Sequence, residues 1–172
     1  SNCKVGDIMG KIIIIAAVGK NLELGKDNNL IWHIKGDMKF FKEHTINHHI
    51  LMGKNTFISL PKMLTNRIHL VLSRNGDDLP SEVIVLNSIE DFINYSKNID
   101  DDIYVIGGAS IYKQMIDLCD EMLLTEIDDI CKDADVYFPS FKDKDWNKQI
   151  IEKHLDNNPP YSHTLYKKKR KN

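Results

Sequence analysis

A chain of 172 residues, 42% hydrophobic and 28% charged, has the size and composition of a single globular domain. With 23 basic and 25 acidic side chains its net charge is −2, so no overall positive field draws in nucleic acid. The three cysteines, Cys3, Cys119 and Cys131, make no CxxC pair, and the longest apolar run, Ile12 to Val18, is too short to span a bilayer, so a cytoplasmic protein without a membrane partner is expected.

Residues 1–10 read as a disordered leader or an expression remnant, and residues 11–172 as one domain. Apolar runs rich in Ile and Val then recur at 11–18, 48–53, 67–73, 82–87 and 102–108. They are continuous rather than alternating, the pattern of strands covered on both faces. Further strands are expected at 121–127, 147–155 and 161–169. Between the runs lie helical patterns at Ile34–His44, Asn55–Leu60, Ile89–Lys97 and Ala109–Leu118. Ser88 with Asp91 is a near capping box for the third of these. Strand and helix in alternation predict an α/β sheet, with the late strands antiparallel at its edge. The stretches "KDKDW" and "DNNPP" read as surface loops, and the terminal "KKKRKN" as a solvated chain end.

Asp37 is the anomaly of the first helix. With Ile34 as zero on a helical wheel, Asp37 falls at about −60°, between Phe41 at about −20° and Phe40. Met38 falls at about +40° on the same apolar arc, while Lys35, Lys39, Lys42 and Glu43 gather opposite. A buried carboxylate needs a partner. Either Asp37 caps a helix starting at Met38, or it is held for a ligand.

Three strand ends carry groups suited to phosphate. Lys54, Asn55 and Thr56 open a helix after "HHILMG", Ser73 and Arg74 follow "RIHLVL", and Gly107-Gly108 follow "DIYVI". Ligands gather at the carboxyl ends of strands in open α/β sheets, and a parallel sheet would bring these three ends to one edge. Two cations, Lys54 and Arg74, suit an additional ribose phosphate and favour NADP over NAD. The histidines show no helix-borne ligand spacing, so no metal is expected.

The stretches "IAAVGKNLELGKDNNLIWHIKGDMKFFKEHT", "ILMGKNTF", "NRIHLVLSR", "YVIGGASIY", "LLTEID" and "DVYFP" resemble, in order and spacing, the bacterial dihydrofolate reductase family. The resemblance runs from Lys11 to near Lys167. It implies a mostly parallel eight-stranded sheet with an antiparallel carboxyl-terminal edge and four helices. The implied activity is NADPH-dependent reduction of dihydrofolate to tetrahydrofolate, with hydride to C6 and a proton to N5. The implied partners are dihydrofolate and antifolate inhibitors, and the implied state is a monomer.

Carried over by position, the resemblance makes Asp37 the acid that grips the pterin, with Thr125 supporting it and Trp32 near the base of a mobile loop over Leu24–Leu30. It puts Ile15, Ala17, Leu30, Phe41, Leu60, Leu64, Ile106 and Tyr112 at the substrate. Arg67 would clamp the glutamate carboxylate. Ala17, Leu24, Gly25 and Ile106 would meet the nicotinamide end of the cofactor. Lys54, Asn55, Thr56, Ser73 and Arg74 would hold its adenosine-phosphate end. Gly107, Gly108, Ala109, Ser110, Ile111, Tyr112 and Gln114 would cradle the pyrophosphate, with Gly107-Gly108 in a cis peptide. The chain departs from the family at Ile31, Ile34–Lys35 and His49, where proline or Leu-Pro is frequent. Two other readings stay open: a same-fold reductase of a ribosylated pyrimidine, against which Asp37 and Arg67 argue, and a non-catalytic nucleotide-binding module.

Overall fold

The computed structural model describes residues 10–76 and 78–170. Apart from Gly10, the expected leader lies outside the described residues. In chain order the strands and helices begin with β1 (Ile12–Val18), β2 (Glu23–Lys26), β3 (Asn29–Leu30), α1 (Lys35–Thr45), β4 (His49–Gly53) and α2 (Lys54–Ser59). They continue with β5 (Ile68–Leu72), β6 (Ile84–Leu86), α3 (Ile89–Ser96), β7 (Ile103–Gly107) and α4 (Ala109–Met115). The last are β8 (Glu121–Ile127), β9 (Val136–Tyr137), β10 (Trp146–His154) and β11 (Tyr161–Lys168).

Eight strands form one sheet in the order β10-β11-β8-β1-β7-β4-β5-β6. It is parallel from β8 across to β6, with β11 antiparallel to β8 and β10 antiparallel to β11. Strand alternation divides the core into two layers. Ile13, Ile15, Ile50, Met52, Tyr104 and Leu123 pack with Phe40 of α1 on one face. Ile14, Val18, Leu51, Val105 and Leu124 pack with Phe92 of α3 and Met115 of α4 on the other. Both faces are covered, which is why these strands read as unbroken apolar runs. Ser88 caps α3 as expected, accepting from the Asp91 amide at 3.0 Å.

Four expectations need correction. The segment Leu24–Leu30 is not an open loop: β2 and β3 form a hairpin, joined to β9 in a second, three-stranded sheet. Asp27 and Asn28 both have positive φ, 50° and 63°, the backbone of a two-residue hairpin turn that Asp and Asn tolerate. "KDKDW" is not wholly a surface loop, because Trp146 starts β10 and is buried against Phe141. Nor is all of "KKKRKN" a free end: Lys167 and Lys168 belong to β11, and Lys168 Nζ donates to the Ile116 carbonyl. Finally, Met38 is 66% exposed. The wheel placed Ile34 inside the helix, but Ile34 is the N-cap, extended at φ −115°, and packs with Ile127 and Tyr161 instead. The buried arc is therefore centred nearer Phe40, with Asp37 inside it and Met38 on the opposite, solvent-facing side.

Gly36 lets α1 approach β11. A Cβ there would lie 2.0 Å from the Tyr161 hydroxyl, so a side chain would force either the Tyr161 ring or the helix carrying Asp37 to shift.

Candidate active site

The strand ends singled out in the sequence do converge. β7, β4 and β5 are parallel neighbours, so Gly107, Gly53 and Leu72 finish on one edge. β1 and β8 complete that edge with Ala17 opposite Thr125. This is the crevice in which open α/β sheets hold ligands.

Asp37 comes to this crevice from α1. It does not cap the helix: Ile34 is the N-cap, and no side chain bonds the first-turn amides. Its Oδ1 instead accepts a 2.5 Å hydrogen bond from Thr125 Oγ1. Burial raises the Asp37 pKa above the ordinary carboxylate value, and the Thr125 bond draws it back only in part. No cation is paired with the carboxylate among the described residues. An acid held by one hydroxyl in a half-buried setting retains accepting capacity for a ligand with an amino and N–H edge.

Apolar side chains line the same side of the sheet. Phe41, Leu60, Leu64 and Ile106 are partly buried against the layer containing Ile15. Leu30 is 67% exposed, on the hairpin. Arg67 is tied down by two of its donors, Nε to the Thr65 carbonyl at 2.9 Å and Nη1 to Thr45 Oγ1 at 3.2 Å. Burial lowers its pKa, yet a guanidinium stays charged. Trp32, like Ala17, packs against the cluster of Ile34, Ile127 and Tyr161, and its Nε1 donates to Asp129 Oδ2 at 2.9 Å. Among the described residues no hydrogen bond joins Trp32 to Asp37, whose bond is to Thr125.

At the other side of the edge, the Gly107–Gly108 peptide is cis and Gly107 has φ +123°. A Cβ on Gly107 would sit 3.3 Å from the Tyr112 hydroxyl, and one on Gly108 3.3 Å from Thr56 Oγ1. Bare backbone is thus what lets the α4 turn meet the start of α2. Gly108 precedes α4 with no side-chain cap, as Gly53 does α2. Tyr112 lies beneath this turn rather than open to it: it is buried, its hydroxyl donates to the Ile15 carbonyl at 2.9 Å, and burial raises its pKa. Ile111 is likewise a core residue, whereas Ser110 and Gln114 are exposed and bonded to each other at 3.2 Å. Ala109 starts α4, half-buried. Asn55 and Arg74 are exposed, and Ser73 Oγ donates to the Asn75 carbonyl. Lys54 Nζ is paired at 2.9 Å with Asp78, an exposed acid that a phosphate would have to displace. Leu24 packs on the core and Gly25 lies in β2, whose carbonyl accepts from the Asp135 amide.

Two histidines matter here that the sequence did not single out. His69 is buried and accepts from the Leu64 amide through Nε2 at 3.0 Å, while Nδ1 lies 3.2 Å from the Arg67 carbonyl. It therefore staples the Leu64 segment to the start of β5, directly after Arg67. His163 is 1% exposed, and its Nδ1 lies 2.8 Å from Thr125 Oγ1. The β10–β11 hairpin also gathers Glu152, His154 and His163, with ligand atoms within 4.8 Å of one another. Spacing in sequence did not reveal this group. His154 and Glu152 already bond each other, and His163 already bonds Thr125.

Comparisons with known proteins agree with the geometry. A family model described as "Dihydrofolate reductase" matches residues 11–170. The dihydrofolate reductase of Buchnera aphidicola subsp. Baizongia pistaciae is 34% identical over 154 residues, 87% of this chain and 93% of that protein. That of Bacillus subtilis is 32% identical over 161 residues, 92% of this chain and 95% of its own. The solved structure of Enterococcus faecalis dihydrofolate reductase complexed with NADP(H) and RAB-propyl superposes with a TM-score of 0.83 at 28% identity. That superposition covers 95% of this chain and 99% of the other.

Proposed function

The chain belongs to the dihydrofolate reductase family, an NADPH-dependent oxidoreductase of dihydrofolate, and on that premise we propose how its own residues divide the work. The family decides between the readings left open by the sequence in favour of reduction of dihydrofolate to tetrahydrofolate. NADPH supplies the hydride for C6 when bound. The residues present fit such a cofactor: a glycine turn that a Cβ would crowd, two uncapped helix starts and the cations Lys54 and Arg74 stand on one sheet edge. Arg74 and Lys54 would meet the ribose phosphate, with Ser73, Asn55 and Thr56 beside them. Gly107, Gly108 and the start of α4 would face the pyrophosphate, and Ala17 with Leu24, Gly25 and Ile106 the nicotinamide.

Asp37 would hold the pterin by its amino and N3 edge. The observation that carries this role is a carboxylate on an apolar helix face, unpaired by any cation among the described residues and oriented by Thr125. Its negative charge raises the proton affinity of N5, and water delivers the proton. Phe41, Leu60, Leu64, Ile15 and Ile106 exclude other water from the ring, Leu30 borders the opening, and Arg67 takes the glutamate carboxylate. Tyr112 supports the Gly107 turn and Trp32 the floor near Ala17. Ser110, Ile111 and Gln114 shape α4 beside the phosphates. All these groups come from one chain, so the site needs no second copy, and free Cys119 and Cys131 support a reducing cytoplasm. No helix among the described residues is long and apolar enough to cross a membrane.

Asp37→Asn tests this reading. It keeps size but removes charge, and groups of this kind contribute typically about 10²–10⁴-fold. The rate at neutral pH should collapse while NADPH binding and folding persist, with partial recovery as pH falls and solvent protonates the substrate. Retention of most of the neutral-pH rate would remove Asp37 from the mechanism.

A further inference from the structure

The hydroxyl of Thr125 that bonds Asp37 also bonds His163. Thr125 and His163 are direct cross-strand partners in the β11–β8 ladder. The imidazole is stacked on Phe40, with ring centroids 3.7 Å apart and planes 7° apart. Phe40 is one turn after Asp37 on α1, so the same helix that presents the acid also clamps the histidine. The ring is further fixed by edge contacts with His154 and Tyr161.

The hydrogen-bond inventory sets the direction of the chain. A threonine hydroxyl has one proton, and an ionised carboxylate can only accept. The Thr125 proton therefore points to Asp37 Oδ1, 2.5 Å away. His163 Nδ1, 2.8 Å from the same Oγ1, must then be the donor. The groups facing the imidazole are His154 and Glu152 from β10, His44 from α1 and Tyr161 from its own strand. Burial, and after it His154, hold the His163 pKa down at about 4, so the ring is neutral at working pH and carries its single proton on Nδ1.

We propose that His163 is a positioning residue for the reaction: by donating from Nδ1 it fixes the Thr125 hydroxyl with its proton on Asp37, and so sets the orientation and acidity of the pterin-binding carboxylate. Hydrogen bonds in series strengthen one another, so a donor into Oγ1 makes its O–H a better donor to Asp37. The inference rests on the reading of Asp37 as the acid that grips substrate.

The test compares His163→Leu with His163→Asn. Leucine fills the space and cannot donate, whereas asparagine fills less but places an N–H near the position of Nδ1. The readouts are kcat/KM for dihydrofolate, KM for NADPH, and the pH dependence of binding of a 2,4-diaminopyrimidine, which needs Asp37 ionised. His163→Leu should lower kcat/KM about 3–10-fold, the worth of one net hydrogen bond, and move the acidic limb of binding to higher pH, with KM for NADPH unchanged. His163→Asn should restore both. A packing role reverses the order, with Leu active and Asn impaired, and that result overturns the proposal. If the Leu variant does not fold, ¹⁵N shifts of the wild-type imidazole at alkaline pH decide: a proton on Nε2 instead of Nδ1 overturns it too. A wild-type profile with no acidic limb would sink the Asp37 reading itself, whereas a limb that is present and unmoved in the Leu variant sinks only the role of His163.

Discussion

Thr125→Val isolates the hydroxyl at the centre of this site. Valine keeps the shape and β-branching that suit β8, so the strand should persist. What is lost is a 2.5 Å bond to the Asp37 carboxylate and the acceptor for His163 Nδ1, both at a position 2% exposed. A bond to a charged group is worth roughly 1.5–3 kcal/mol, and an orphaned buried donor costs about 1–3 kcal/mol more. The expected loss at alkaline pH is roughly 2.5–6 kcal/mol, or about 5–24 °C in Tm for a chain of this size. The sign of the pH dependence follows from Asp37. Its folded pKa is raised, so ionised Asp37 detracts from stability, and the stability of its protonated form is lost as pH rises through that pKa. The Thr125 bond offsets part of this only while the carboxylate is charged. The gap between wild type and Thr125→Val should therefore be widest above the folded Asp37 pKa and narrow as pH falls through it. Urea unfolding in alkaline and mildly acidic buffer, with kcat/KM in the same buffers, measures both. An equal loss in the two buffers would mean that the hydroxyl is not coupled to the carboxylate charge.

Arg74→Ala should lower kcat/KM for NADPH by about 10–150-fold, the value of a charge-assisted bond, and barely change that for NADH; equal losses would move Arg74 away from the ribose phosphate. Arg67→Leu should raise KM for dihydrofolate at least about tenfold, since it removes a bidentate carboxylate partner, yet leave the affinity of a diaminopyrimidine lacking the glutamate unchanged. A parallel loss of both ligands would make Arg67 a structural residue anchored on Thr45. Asp101→Asn tests the opposite end of the sheet. Burial alone would raise the Asp101 pKa, but the bonds from His49 and His48 outweigh it and hold it below the ordinary carboxylate value. That stability is present above the unfolded carboxylate pKa and is lost as pH falls through the folded one, so the variant should be destabilised at neutral pH and converge with wild type in acid, followed by thermal unfolding across pH.

What could be read from the sequence was what depends on neighbours in sequence. Continuous Ile and Val runs mark strands covered on both faces, and Ser88 with Asp91 marks a helix start, because each signal lies within a few residues. Asp37 stood out for the same reason, even though the wheel was centred on Ile34, a residue that proves to lie outside α1. What could not be read depends on register. His163 and Thr125 are 38 residues apart and meet only because β11 pairs antiparallel with β8 in one register; a slip of one residue would turn His163 to the opposite face. Lys54 could be read as a phosphate ligand, but not its pairing with Asp78, which is made across a loop. His49 shows how one position can be read in part. As a departure from a frequent proline it suggested only a looser turn. In the fold its amide donates to Asp101 Oδ2 at 3.0 Å and its Nδ1 reaches the same oxygen at 2.7 Å. Proline has no amide proton to give, so the residue that frees the backbone of one constraint supplies the bond that replaces it.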